Sequence, residues 1–442
     1  MTYHDALAYL DSLVNFEKKS EYDYKKSVKL DRMRRFASFF DNPQKGITSI
    51  HVSGTKGKGS TASFINAILI EAGYTVGLYT SPHLFCFRER IRINGEPISE
   101  NDVAYFINKL KPYVEAMKKK DEKPTYFEIA TMMAFMYFKR QKVDFMVLEV
   151  GMGGRLDSTN VADSAVSVIT PISFDHMDHL GTSLAEIAFE KCGVIKENAF
   201  VVSAPQYEEA KKVIIKTAHE RNAPLSLVGV DVFFKISDAG IDGQTFNLVT
   251  QQEKYPSLKI KLLGDFQVEN ATLAVAAVEK LRSIGIVVDK TSIKKGLSNT
   301  EWPGRLQIIS RNPTLIVDGA QDVNSAMRLK KSVQDHFRYK RLILVFGAMR
   351  GKDIEGISRQ LTGFADVIIV TRSKSERAAQ PVDIFEKILK YNKVIEIMTT
   401  ESVSEALETA KEKAGPNDLI LATGSLYIVA EAMSILRSAV TV

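Results

Sequence analysis

Residues 47–73, ITSIHVSGTKGKGSTASFINAILIEAG, constrain the fold more than any other stretch of the chain. An apolar run gives way to glycines at 54, 57 and 59, and the sequence then resumes with a helical period. Strand, glycine-rich turn and helix in that order form the setting of a phosphate-binding loop in an α/β domain. Glycines let successive N–H groups turn toward an anion, and the helix N-terminus behind them adds partial positive charge. Gly54, Thr55, Gly57 and Gly59 shape the loop, Lys58 can reach outer phosphates, and Ser60 and Thr61 offer hydroxyls. The match to GxxxxGK[ST] is imperfect, with Val52 in place of the first glycine and Gly59 in place of the hydroxyl residue after the lysine. Motors, switches, kinases and ligases all hold nucleotide on such a loop, so other residues must choose the reaction.

Around the loop, ITSIHV, TVGLYT, DFMVLEV and AVSVIT read as strands, and 60–72, 101–119, 126–140 and 183–191 as helices, the alternation of a parallel sheet with crossover helices. A second set of strands, TLIVDGA, RLILVFGA, ADVIIVT, KVIEIM and DLILAT, begins near residue 305. Residues 229–260 between the sets read as polar and less regular, and SNTEWPGRLQ carries the only tryptophan and a Pro-Gly turn. With 442 residues the chain suits two or three domains, and we place the boundary to give 1–297 and 298–442. The excess of 59 basic over 53 acidic residues is spread along the chain, which favours a pocket for anionic ligands over a nucleic-acid surface. Two cysteines, Cys86 and Cys192, give no disulfide framework, so a reduced cytoplasm is expected. No run of about 18 apolar residues occurs, so no membrane span is expected.

Three further places carry candidate chemistry. Glu149 ends the run DFMVLEV, where ligands gather in open α/β sheets, and its carboxylate suits magnesium. Asp175, His176, Asp178 and His179 crowd five positions, a density as compatible with a solvated turn and capping aspartates as with a metal site. Lys191 closes a helical stretch and, on physics alone, reads as a surface lysine near a helix C-terminus.

The segments GTKGKGST, YTSPHLFCFRERIRING, TYFE, LEVGMGGRLDSTN, ISFDHMDHLG, EKCGVIK, GDFQVENA, EWPGRLQ, DGAQD, VFGAMRGKD and TGSLY, in that order, resemble folylpolyglutamate synthase / dihydrofolate synthase of the Mur ligase superfamily. The similarity runs from about residue 20 to 435. It implies a P-loop Mur-ligase-like ATP-binding domain followed by a smaller Rossmann-like α/β domain, with the active site in the cleft between them. The implied reaction joins L-glutamate to dihydropteroate or to a folate (poly)glutamate: ATP phosphorylates a carboxylate, and the amine displaces phosphate from the acyl phosphate. A carboxylate is a poor electrophile, and phosphorylation gives it a leaving group.

Carried over residue by residue, the resemblance puts Lys58 and Ser60 on phosphates and Ser60, Ser81, Glu149 and His176 on magnesium, two ions in all. Lys191 matches a carbamylated lysine, whose modification turns a cation into an anion, and a monovalent cation is also admitted. Asn270, Arg305 and Asp318 would contact nucleotide, with Lys58, His176, Lys191 and Arg305 the catalytic set. Substrate contacts fall on Ser81, Pro82, His83, Thr125, Phe127, Asp157, Gln321 and Ser425, and Phe127 offers either a stacking face or the start of a helix's apolar stripe. One departure stands out: most of the family reads DGAHNP where this chain has Asp318-Gly-Ala-Gln321-Asp322-Val323, a neutral amide in place of an imidazole. The expected partners are small molecules only, with no nucleic acid or membrane, acting on a monomer. Rival readings are another Mur-type amide ligase and a nucleotide-switch or nucleic-acid-stimulated NTPase; the latter lacks a basic stripe interleaved with aromatics.

Overall fold

The glycine loop joins strand β1 (Thr48–Ser53) to the helix Lys58–Glu71, at the middle of an eight-stranded sheet. The structure, a computed structural model, describes residues 1–17, 24–118, 122–390 and 396–440. In chain order the sheet also contains β2 (Val76–Tyr79), β3 (Ile91–Ile93), β4 (Glu96–Pro97), β5 (Phe145–Glu149), β6 (Ser164–Ile169), β7 (Phe200–Ser203) and β8 (Leu225–Leu227). Their spatial order is β4-β3-β2-β5-β1-β6-β7-β8, parallel from β2 to β8 with β3 and β4 antiparallel at one edge. β1 and β5 are buried nearly end to end, as strands covered by helices on both faces must be. The expected strands are thus present, and the first helix begins at Lys58, two residues early, because Gly57 adopts the left-handed conformation that lets the chain turn straight into it.

Residues 229–260 correct the sequence reading. They contain strands β9 (Phe233–Gly240), β10 (Gly243–Val249) and β11 (Lys254–Ile260) in a three-stranded sheet ordered β11-β10-β9. Burial alternates along β10, with Phe246 and Leu248 inward and Asn247 and Val249 outward. A half-exposed strand of this kind carries a period-two pattern too polar to register as an apolar run.

The chain divides into two compact units, Met1–Ser237 with Thr245–Ile260 and Phe266–Thr300, and Asp238–Gln244 with Lys261–Asp265 and Glu301–Val442. The second unit contains a six-stranded sheet of β12 (Gln307–Arg311), β13 (Thr314–Asp318), β14 (Leu342–Phe346), β15 (Val367–Val370), β16 (Glu396–Thr399) and β17 (Leu419–Thr423), ordered β12-β13-β17-β14-β15-β16. Only β12 is antiparallel to its neighbour. The first residues of the expected strand KVIEIM lie outside the described residues, as does residue 119 of the expected helix 101–119.

Within the first unit, a buried ion pair sets the helix Tyr126–Arg140. Thr125 and Glu128 form a reciprocal cap, each side chain accepting the other's backbone N–H, and Arg32 grips the same Glu128 carboxylate from 2.8 Å. Glu128→Ala leaves the Arg32 cation buried without its partner and removes half the cap. It is expected to lower unfolding free energy by about 3–5 kcal/mol, read by denaturant titration, with Glu128→Gln milder because the amide oxygen can keep the cap.

Candidate functional site

Gly57 sits at φ +85°, and a Cβ there would lie 2.3 Å from Asn270 Oδ1, so the amide of Asn270 packs directly on the loop. Asn270 is buried and its Nδ2 donates to Gln267 Oε1 at 2.9 Å. On the other side the loop is tied to the segment after β6: Thr55 N–H donates to Pro171 O, and the Thr55 hydroxyl both donates to Ser173 O and accepts from Ser173 N–H. Held from both sides, the loop presents the start of the Lys58–Glu71 helix, where Ser60 and Thr61 are buried in the first turn and Thr61 Oγ1 has no partner among the described residues. Such an arrangement suits an anion with several oxygens.

Cations converge on it. Lys58 Nζ donates back to the loop carbonyls of Gly54 and Thr55 at 3.2 and 3.4 Å. Lys191, which physics alone put on the surface, is 4 % exposed, and its Nζ donates to Gly54 O at 2.8 Å. The surface reading fails because the loop after β5 closes over the Lys191 helix, with Arg155 N–H on Glu190 O at 2.7 Å. Burial, then the neighbouring Lys58 cation, pulls the Lys191 pKa down to about 7, so near neutrality much of it is a free amine. Burial also lowers Lys58, with Glu149 opposing most strongly.

Glu149 ends β5 beside Val52 of β1, and its Oε2 accepts the Ser81 N–H at 3.0 Å. Carboxylate and serine therefore share one end of adjacent strands. Among the described residues no three His, Cys, Asp or Glu side chains gather as a metal cage. In the 175–179 cluster His176 caps a four-residue helix in the left-handed conformation with a half-exposed side chain, and Asp175 takes the Lys56 ammonium at 3.0 Å. An oxygen-rich set with few charged ligands still fits magnesium, which binds through one or two carboxylates plus substrate phosphates.

The remaining first-unit candidates lie on the loop 151–157, at the start of the helix Tyr126–Arg140 and after β2. Asp157 is buried, with Oδ2 accepting the N–H groups of Gly151 and Met152, and Oδ1 those of the Thr159 backbone and hydroxyl. Phe127 is half-buried, 5.9 Å from the Tyr79 ring, and so close to Gly151 that a Cβ there would be 2.6 Å from its ring. The Thr125 hydroxyl is committed to its helix cap. Past the exposed Pro82, His83 Nδ1 accepts from Arg90 Nε at 2.8 Å, and burial with that guanidinium pulls its pKa down to about 4. Arg90 also clamps Glu17 at 2.6 Å and lies over the Tyr126 ring, contacts that nothing in the local sequence pattern announces.

In the second unit, Asp318 and Ser425 lie at or just past the carboxyl ends of neighbouring strands β13 and β17. Asp318 is buried and accepts the N–H groups of Leu306 and Ala320. Burial raises its pKa against the opposing field of Arg305. A Cβ on Gly319 would sit 2.6 Å from an Arg305 guanidinium nitrogen, so this arginine lies along the DGAQD turn. Gln321 is half-buried before the capping Asp322 of the helix Val323–His336, and Ser425 is buried, accepting the Ile428 N–H.

Two family profiles match the chain: the Mur ligase middle domain over residues 52–278 and the Mur ligase glutamate ligase domain over 304–426. A Bacillus subtilis dihydrofolate synthase/folylpolyglutamate synthase is 37% identical over 406 residues, covering 91% of this chain and 93% of that protein. Among solved structures, a Mycobacterium tuberculosis folylpolyglutamate synthase complexed with ADP and AMPPCP aligns with a TM-score of 0.88 and 29% identity, covering 98% and 99% of the two chains. An E. coli FolC structure in complex with DHPP and ADP aligns with a TM-score of 0.84 and 29% identity over 99% and 98%.

Proposed function

The chain belongs to the folylpolyglutamate synthase / dihydrofolate synthase branch of the Mur ligases, and from that premise we propose how its residues divide the work of the reaction. It is an ATP-dependent ligase that joins L-glutamate to dihydropteroate or folate. The observation that carries the residue assignment is the anion cradle at Gly54–Thr61, with Lys58 and Lys191 turned onto its carbonyls and Glu149 at the end of the neighbouring strand.

In this reading the loop N–H groups, Lys58 and the hydroxyls of Ser60 and Thr61 hold the nucleotide phosphates and balance the charge that moves during transfer. Asn270 packs on the loop to fix its shape and, with Arg305 and Asp318, contacts nucleotide. The carboxylate of the pterin substrate takes the transferred phosphoryl group as an acyl phosphate, and the glutamate amine then attacks that carbon and expels phosphate. Phe127, Asp157 and the Thr125 turn shape the pterin pocket, with Ser81, Pro82 and His83 along its approach. Gln321 and Ser425 are assigned to the incoming amino acid, where the amide of Gln321 hydrogen-bonds but does not titrate near neutrality. Ser60, Ser81, Glu149 and His176 would hold magnesium, which when bound neutralises phosphate charge.

The test is ADP release measured with ATP and L-glutamate, separately with dihydropteroate and with tetrahydrofolate, followed by mass analysis of the products. Glutamate-dependent ADP release with at least one pterin, and a product heavier by one or more glutamyl units, is the expected result. Silence on both substrates would sink the folate reading.

A further inference from the structure

His51 lies on β1, three residues before the phosphate loop, and is fully buried. Its Nε2 is 2.7 Å from Thr159 Oγ1, and that hydroxyl donates to Asp157 Oδ1 at 2.5 Å. The direction of each bond follows from a proton count. Burial raises the Asp157 pKa, but its two oxygens already receive three backbone N–H groups, and the fourth lone-pair site takes the hydroxyl proton that Thr159 donates. The Thr159 hydroxyl has one proton and gives it to Asp157, so toward the ring its oxygen can only accept. His51 is therefore the Nε2–H tautomer, with Nδ1 a bare acceptor that is buried without a partner among the described residues. Burial drives the imidazole pKa down to about 3, so the ring keeps one proton across the neutral range.

That unpartnered nitrogen separates this histidine from a space-filling one. A buried acceptor without a donor is costly, and phenylalanine or leucine would fill the same volume without it. What the imidazole supplies and they cannot is the N–H that aims the Thr159 hydroxyl. At the far end of the chain of bonds, Asp157 Oδ2 gathers the N–H groups of Gly151 and Met152, and Gly151 is the residue on which the Phe127 ring rests.

We propose that His51 is a positioning residue for pterin recognition: its Nε2–H orients the Thr159 hydroxyl, which fixes Asp157 and through it the 151–157 loop facing Phe127. This rests on the pterin pocket proposed above. It places a specificity determinant on the same strand that delivers the phosphate loop, with no contact to substrate of its own.

His51→Phe removes the donor and keeps bulk, His51→Gln restores an N–H, and Thr159→Val removes the hydroxyl with little change of shape. Each is assayed as the full chain, varying ATP and then whichever of dihydropteroate and tetrahydrofolate supports turnover. His51→Phe and Thr159→Val are each expected to raise KM for the pterin about tenfold while KM for ATP stays within about twofold. His51→Gln should recover most of the loss, and the double variant should be no worse than either single one. A folded His51→Phe with unchanged pterin KM, or with both KM values raised equally, overturns the proposal. Should His51→Phe fail to fold, Thr159→Val is judged by the same criterion. Asp157→Asn separates the two layers: no change in its pterin KM overturns the pocket assignment itself, whereas a rise there with none in His51→Phe and Thr159→Val overturns only the role of His51.

Discussion

Lys191→Ala is expected to lower kcat roughly 100-fold, and millimolar formate or acetate should restore part of the loss if the side chain works as a carbamate. The expectation starts from three facts: the lysine is buried, its amine touches the Gly54 carbonyl, and Lys56 and Lys58 raise the local positive potential. A fourth carrier of positive charge beside those lysines and a magnesium ion would be repelled, while a carbamate reverses the sign and supplies oxygen to the site. Carbamate formation needs the free amine, and with a pKa of about 7 that fraction falls as pH drops below neutrality. Activity should accordingly respond to added bicarbonate and decline with acid more steeply in wild type than in Lys191→Ala. In CO2-free buffer the unmodified lysine gives a second signature. Its folded pKa of about 7 lies below the ordinary 10.5, so over that window the unfolded chain binds the extra proton and stability rises with pH. Loss of activity without rescue by small carboxylates, and without a bicarbonate response, would leave the lysine as a plain electrostatic residue.

Lys58→Ala should cost more, about 100- to 1000-fold in kcat, with nucleotide affinity measured by calorimetry weakened alongside and binding of the pterin little changed. Lys58 donates to the carbonyls of Gly54 and Thr55 at the mouth of the loop, within reach of any phosphate seated on the helix N-terminus. Removing it takes away a charge that is already partly desolvated, and no other lysine can follow the same path: Lys56 is engaged by Asp175 and Lys191 faces Gly54 from another helix. Lys58→Arg is not expected to rescue, because the planar guanidinium lacks the compact point charge of an ammonium at the end of a thin stem. A Lys58→Ala enzyme within tenfold of wild type would remove the loop from the centre of the reaction.

Much of this was legible in the chain itself. β5 and the second-unit strands β13, β14, β15 and β17 are apolar nearly end to end, because a strand buried on both faces needs apolar residues at most positions. The loop was equally plain, since glycines confined between a strand and a helix have few other uses. β9–β11 escaped because a strand with one wet face alternates, and short alternations among lysines and aspartates resemble a polar linker. At the site, Lys191 could be promoted only by family resemblance, since its burial depends on a loop 36 residues upstream closing over its helix through Arg155. His51 gave no signal at all: among the apolar residues of ITSIHV it reads as one more strand position.

The sequence by itself determined the phosphate loop, the acid at the end of β5 and the apolar strands around them, because periodicity and glycine placement are local properties that each segment carries alone. Tertiary structure decided which charges are buried and which protons point where. The depressed pKa of Lys191, the tautomer of His51 and the four donors around Asp157 all arise between segments 108 to 137 residues apart or across loop turns that only the closed fold brings together. Desolvation and hydrogen-bond direction depend on all neighbours at once, and no stretch of sequence contains them.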